Sequence, residues 1–260
     1  MKIKQNTYLG IFDSGVGGLT ILSSLKSMLP QEQFIYVSDD ANAPYGKKSK
    51  EEISERCFQI VDFLISKGCK LVVVACNTAT TNAIDALRSR YDISFIGIEP
   101  AIKPAALNSK TKVIGVLATR GTLSSRLFAQ TSNTFTQNVN VIEQIGDGLV
   151  EAIEKGELMN SILVDLLNSY IKPMLDQNVD ILVLGCTHYT FLIPLLKTIL
   201  PKNIQIVDST DAVAKQTFRV LKKEKLLSTE NLGETVKYFS SATKSTLSNF
   251  ISEKIKAVNF

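Results

Sequence analysis

Leu71-Val72-Val73-Val74-Ala75-Cys76-Asn77-Thr78 and Ile181-Leu182-Val183-Leu184-Gly185-Cys186-Thr187-His188 decide how this chain is read. Each is an unbroken apolar run that ends in a small residue, a cysteine and then hydrogen-bonding side chains. Runs of this length, rich in Val, Ile and Leu and without alternation, are the pattern of a strand covered on both faces, as in a parallel sheet. Helix-like sequence follows each, Asn82-Ala83-Ile84-Asp85-Ala86-Leu87 after the first and residues 192–200 after the second. A residue where such a strand turns toward its helix lies on the edge where α/β sheets usually bind ligands. One cysteine so placed reads most simply as a buried structural residue. Its recurrence, with polar side chains after both copies, favours one device used twice: a thiol presented at a strand end.

The rest of the sequence bounds the function. At 260 residues the chain has room for one large domain or two ordinary ones, and its net charge of +4 is mild and scattered. The basic cluster Lys222-Lys223-Glu224-Lys225 reads as a solvated helix end, so nothing calls for nucleic acid. Residues 1–6 lack the apolar core of a signal peptide and no run has the length of a membrane span, so a cytoplasmic protein without a membrane contact is expected. Four unevenly spaced cysteines do not suggest a disulfide framework, and Cys57 and Cys69 read as structural. With no CxxC pair and a single histidine, neither a zinc site nor another metal is expected.

Strands and helices alternate along the whole chain. Tyr8-Leu9-Gly10-Ile11-Phe12 reads as a first strand, followed by Asp13-Ser14-Gly15-Val16-Gly17-Gly18 and a helix over 19–29. That glycine turn matches neither dinucleotide nor P-loop spacing, but its N–H groups at a helix start would seat a carboxylate. Asp13 is the odd member, either a helix cap or a functional acid. The loop after the strand Phe34-Ile35-Tyr36-Val37 carries Pro44, Tyr45 and Gly46 to the same edge. Lys112-Val113-Ile114-Gly115-Val116-Leu117 and the turn through Thr119 and Thr122 echo the first unit, so the repeat extends beyond the cysteines. A strand over 139–144, helices over 147–155, 158–177 and 212–227, a strand over 236–239 and a helix over 247–255 complete the reading. The expected fold is α/β: two pseudo-symmetric units with mostly parallel sheets and right-handed crossovers, and a site in the cleft between them. With no cofactor loop, chemistry there falls to side chains. Two thiols on opposite faces of one carbon can invert it, one removing a proton while the other donates one.

Taken together, Asp13-Ser14-Gly15-Val16-Gly17-Gly18-Leu19, Pro44-Tyr45-Gly46, Ala75-Cys76-Asn77-Thr78-Ala79 and Gly185-Cys186-Thr187-His188 resemble the glutamate racemase family of bacterial cell-wall synthesis. The matches run in order from about residue 10 to 208. The resemblance implies interconversion of L- and D-glutamate without a cofactor, feeding peptidoglycan synthesis. It implies that Cys76 takes the proton of D-glutamate and Cys186 that of L-glutamate, assisted by Asp13 and His188 respectively. Ser14, Pro44, Tyr45, Gly46, Asn77, Thr78, Thr187 and His188, with Asp13, Thr119 and Thr122, would hold the substrate. It further implies a homodimer, and a first domain of residues 1–98 plus 209–260 around a second of 99–208. Two positions depart from the family: Thr190 stands where Pro is common, and Glu151 replaces a Pro before the site acid. In Val150-Glu151-Ala152-Ile153-Glu154 the site acid is therefore Glu154 or Glu151, with Glu154 preferred. The sister aspartate racemases would carry His and Glu where this chain has Thr80 and His188. A binding regulator that had lost turnover would be expected to lack one of the cysteines, and a cysteine hydrolase leaves the second one unexplained.

Overall fold

A computed structural model describes residues 7–158, 160–229 and 236–260. Residues 1–6, read above for a leader, and Met159, inside the helix expected over 158–177, lie outside that description. The first sheet is built from β1 (Tyr8–Asp13), β2 (Gln33–Ser38), β3 (Cys69–Val74) and β4 (Ser94–Gly97), connected by α1 (Leu19–Met28), α2 (Lys50–Ser66) and α3 (Asn77–Arg90). After α4 (Ile102–Asn108) come β5 (Val113–Ala118), β6 (Asn140–Ile145), β7 (Ile181–Gly185) and β8 (Gln205–Val207). Between them lie α5 (Arg120–Leu123), α6 (Arg126–Phe135), α7 (Leu149–Glu154), α8 (Ser161–Leu175) and α9 (Ile193–Ile199). Then α10 (Thr210–Lys223) leads back to the first sheet, where β9 (Val236–Ser240) and β10 (Ile255–Ala257) extend the β2 edge.

The strand orders are β10-β9-β2-β1-β3-β4 and β6-β5-β7-β8, and every described pairing is parallel. This is the α/β architecture with parallel sheets expected from the sequence. Dropping β9 and β10, the first sheet reads 2-1-3-4 and the second 6-5-7-8, so the repeat seen in the sequence is a repeat of topology. In each sheet the strand order reverses beside the first strand, which opens a crevice at its carboxyl end. β3 and β7 are buried at every position; they are apolar apart from Lys70 at the start of β3, which pairs with Glu32 at 2.6 Å, and each leads to a cysteine at that crevice.

The segment over 247–255 is not a helix. Ser245 caps a single 3₁₀ turn, Thr246–Asn249, by accepting the Leu247 N–H, and the chain then pairs with β9 as the edge strand β10. Helical propensity there yields to backbone pairing on an otherwise open sheet edge. The chain passes between the sheets near residues 99 and 209, where the Ser209 hydroxyl donates to the Glu99 carbonyl at 2.5 Å. No helix among the described residues is long and apolar enough to cross a membrane.

Candidate active site

β1 ends in Asp13, which is fully buried. Its Oδ1 accepts the Ser14 N–H at 2.6 Å and the Ser14 hydroxyl at 3.3 Å. Its Oδ2 accepts the Gly18 N–H and, from the other sheet, the Thr187 hydroxyl at 3.3 Å. The Cys76 thiol lies 3.7 Å from the Ser14 hydroxyl, so Cys76 meets Asp13 through Ser14. Cys76 caps α3, and its sulfur accepts the Ala79 N–H at 3.4 Å. Burial pushes the Cys76 thiol well up, the charges of Asp13 and Cys186 push it further, and the Ala79 N–H and Ser14 hydroxyl oppose them. Burial also raises Asp13 to about 6, against the pull of His188.

That shift has a measurable consequence. Between its usual 3.8 and about 6, Asp13 keeps its proton in the folded protein and has lost it in the unfolded chain, so its contribution to stability falls as pH rises through that window. At roughly 1.4 kcal/mol per unit, the difference in unfolding free energy between the wild type and Asp13→Asn should fall by about 2 kcal/mol from pH 4 to 7. Urea titrations across that range measure it; a flat difference would place Asp13 in a polar, unshifted environment.

The second cysteine has a different support. Cys186, 7% exposed, stands 3.9 Å from His188 Nδ1, and His188 Nε2 meets Glu154 Oε1 at 2.5 Å. Burial alone would lower the His188 pKa, but hydrogen bonds to Cys186 and Glu154 and the charge of Asp13 raise it well above the usual value. Burial likewise opposes ionisation of Glu154, but bonds from His188, Thr246 and the Val16 N–H hold its carboxyl below the usual range. The buried pair is therefore imidazolium and carboxylate. Glu151 instead faces Lys47 across the rim at 2.7 Å, on a half-exposed surface. Of the two candidate acids, the structure brings Glu154 to His188. At the departed position, Thr190 donates its hydroxyl to Thr20 of α1 at 3.2 Å.

The glycine turn also differs from its expected use. Its N–H groups are taken by the protein's own carboxylates, Ser14 and Gly18 by Asp13 and Val16 by Glu154. The glycines are there for proximity. A Cβ on Gly15 would lie 1.8 Å from Glu154 Oε1, and one on Gly17 would lie 2.5 Å from His188 Nδ1 and 2.6 Å from the His188 backbone nitrogen. Only bare backbone lets the first-sheet turn meet the second-sheet arm.

Hydroxyls line the remaining side. Thr78 Oγ1 lies 2.8 Å from Thr119 Oγ1 and 3.3 Å from Thr122 Oγ1, which are 3.1 Å apart, so the cluster spans both sheets. Asn77 is buried, and its Oδ1 has no hydrogen-bond partner among the described residues. Such an orphaned acceptor is costly unless a ligand satisfies it. Pro44 and Gly46 sit at the rim with Thr119, while Tyr45 points its hydroxyl away, donating to Asp39 at 2.6 Å. Tyr45 thus offers the site its backbone, not its phenol. Asp39 is buried and also held by Arg56 at 2.8 and 3.0 Å. Arg56→Met leaves that carboxylate short of its counter-charge and should cost about 3 kcal/mol in urea unfolding. A loss below about 1 kcal/mol would mean that Tyr45 and Asn42 satisfy Asp39 alone.

Sequence reasoning missed Thr246 and the Val16 N–H. Both reach Glu154 across more than ninety residues, and no local pattern announces such contacts. Cys57 and Cys69 are buried in the core of the first sheet, and burial raises both thiols. Among the described residues no three His, Cys, Asp or Glu side chains are grouped to hold a metal ion.

The family model for Asp/Glu/hydantoin racemases matches residues 19–217. A glutamate racemase of Ectopseudomonas mendocina is 46% identical over 234 residues, covering 90% of this chain and 89% of that protein. The crystal structure of Escherichia coli glutamate racemase in complex with L-glutamate and the activator UDP-MurNAc-ala superposes with a TM-score of 0.88 at 31% identity, covering 98% of both chains. That of the Francisella tularensis enzyme in complex with D-glutamate gives a TM-score of 0.84 at 28% identity, again covering 98% of both.

Proposed function

Because the chain belongs to the Asp/Glu/hydantoin racemase family, we propose that it interconverts L- and D-glutamate without a cofactor, with Cys76 and Cys186 as the two bases. One observation carries this reading. Topologically equivalent strands end in two buried cysteines near enough for the charge of Cys186 to raise the Cys76 thiol, and each has its own acid behind it: Asp13 through Ser14, and Glu154 through His188.

The α-proton of an amino acid is weakly acidic, so the site must both remove it and hold the charge that develops. With L-glutamate bound, the Cys186 sulfur removes the proton, and the His188 imidazolium lies against the thiolate. The Cys76 thiol delivers a proton to the opposite face. The reverse reaction runs from D-glutamate, with Cys76 as base and Ser14 and Asp13 behind it. Asn77 Oδ1, without a partner among the described residues, accepts from the substrate ammonium. The Thr78, Thr119 and Thr122 hydroxyls bind a carboxylate with Thr187 and the backbone around Tyr45 and Gly46. Neutral donors hold the anion without neutralising a catalytic thiolate. Substrate enters by separation of the two units, taken as residues 1–98 plus 209–260 and 99–208, since both cysteines are almost fully covered.

Glutamate is favoured over aspartate by Thr80 and His188. Thr80 is buried, accepts the Ile98 N–H at 3.0 Å and donates to the Val74 carbonyl at 3.1 Å, so it serves the frame and not the chemistry. The reading includes a cytoplasmic homodimer that supplies D-glutamate to peptidoglycan synthesis. Reduced, purified protein incubated with L-glutamate, and separately with L-aspartate, tests it on a chiral column. D-glutamate is the expected product; turnover of aspartate alone would overturn the assignment.

A further inference from the structure

Glu154 is gripped from three sides. Oε1 meets His188 Nε2 and the Val16 N–H at 2.9 Å, while Oε2 accepts the Thr246 hydroxyl. Thr246 opens the one-turn 3₁₀ segment after β9, on the first sheet, whereas Glu154 closes α7 beside the second. Thr246 is itself fixed. Its N–H donates to Asp40 at 3.1 Å, and Asp40 also accepts the hydroxyls of Ser240 and Ser245. The Asn249 amide reaches the Glu154 carbonyl at 3.3 Å from the same turn. Asp40 therefore holds the turn, the turn holds Glu154, Glu154 holds the His188 ring, and that ring faces Cys186. Among the described residues no hydrogen bond joins Thr246 to either cysteine. Glu154 also meets the Val16 N–H of the turn that carries Ser14 and Asp13, but the direct route from Thr246 runs through Glu154 and His188 to Cys186.

We infer that Thr246 is a positioning residue for the Cys186 half of the reaction, acting through the second oxygen of Glu154. The inference rests on the two-cysteine reading above. Both carboxylate oxygens must be engaged for Oε1 to stay aligned with Nε2, because a carboxylate held at one oxygen swings about its last torsion. Two of the three donors to Glu154 come from the first-sheet unit, so separating the units strips Glu154 of both and leaves His188 without an oriented partner. Closure over substrate then assembles the Cys186 arm as well as enclosing the site. A cavity of about 400 Å³ bordered by Thr246, Glu154 and Asn249 lets water replace a lost hydroxyl in part, so the expected effect is moderate.

The test compares the full-length wild type with Thr246→Val and Thr246→Ser, using α-deuterated L-glutamate and α-deuterated D-glutamate. Thr246→Val should lower kcat roughly tenfold with KM changed by less than about twofold. Its primary isotope effect should rise from the L side, where Cys186 breaks the bond, and fall from the D side, where Cys76 does. Thr246→Ser restores the hydroxyl and should recover most of the loss. Thr246→Ala, which also removes the hydroxyl, must show the same asymmetry, so a folding defect of one variant does not decide the matter. Equal isotope effects from both sides, or an unchanged kcat, would overturn the inference while leaving the two-base reading in place. A wild type that does not racemise glutamate overturns that reading first, and the inference with it.

Discussion

Cys76→Ser and Cys186→Ser should each lower kcat/KM for racemisation by at least about a thousandfold, by the same factor from L- and from D-glutamate. A serine hydroxyl scarcely ionises near neutral pH, so it neither removes a carbon-bound proton nor leaves a stabilised anion. The losses are equal in both directions because the enantiomers have the same free energy, so kcat/KM must match whichever way the reaction runs. What separates the variants is exchange without inversion. Cys186→Ser keeps Cys76 with Ser14 and Asp13, and should still exchange the α-proton of D-glutamate with solvent. Cys76→Ser keeps Cys186 with His188 and Glu154, and should exchange that of L-glutamate. Chiral chromatography and proton NMR read the two effects separately. Full racemisation by either variant would contradict two-base catalysis.

Gly17→Ala is expected to be damaging as well, although it removes no reactive group. The added methyl would stand 2.6 Å from both the His188 backbone nitrogen and Thr187 Oγ1, and 2.5 Å from His188 Nδ1. Backbone cannot yield as a side-chain tip can, so the first-sheet turn must back away from the second-sheet arm. A displacement of about 1 Å at a catalytic group costs on the order of a hundredfold, and a loss of that size in kcat/KM is expected with the far-ultraviolet circular dichroism unchanged. The clash at Gly15 is mainly with the Glu154 carboxylate, which has torsional freedom, so Gly15→Ala should cost less. Wild-type turnover by Gly17→Ala would mean that the turn and the His188 arm do not close to this distance during catalysis.

The parts of the fold that could be read in advance were those carried by local chemistry. β3 and β7 are covered on both faces and so hold apolar residues at every position but the ion-paired Lys70, which made their ends, and Cys76 and Cys186, visible as a pair. Parallel pairing followed from the alternation of strands and helices. The strand order depends on non-local pairings, and β9 joins β2 across about 200 residues with β10 beside it, contacts to which periodicity is blind. Residues 247–255 looked helical by composition, but a short edge strand is decided by the open partner beside it. Glu151 and Glu154 sit three apart on one helix, so spacing put both on the same side, and only contacts distant in sequence distinguish them: His188, Val16 and Thr246 at Glu154, Lys47 at Glu151. The glycines of the first turn suggested a seat for an anion. The anions proved to be Asp13 and Glu154, and the glycines are needed because His188 and Glu154 come so close.

The central claim, that one thiol deprotonates while the other reprotonates the opposite face, is tested most directly by the reaction of L-glutamate in D₂O, sampled before equilibrium. If two bases act, every D-glutamate molecule formed early carries solvent deuterium at the α-carbon, while the remaining L-glutamate keeps its proton. If one base serves both faces, the early D-glutamate retains part of the original proton, and that result would contradict the account.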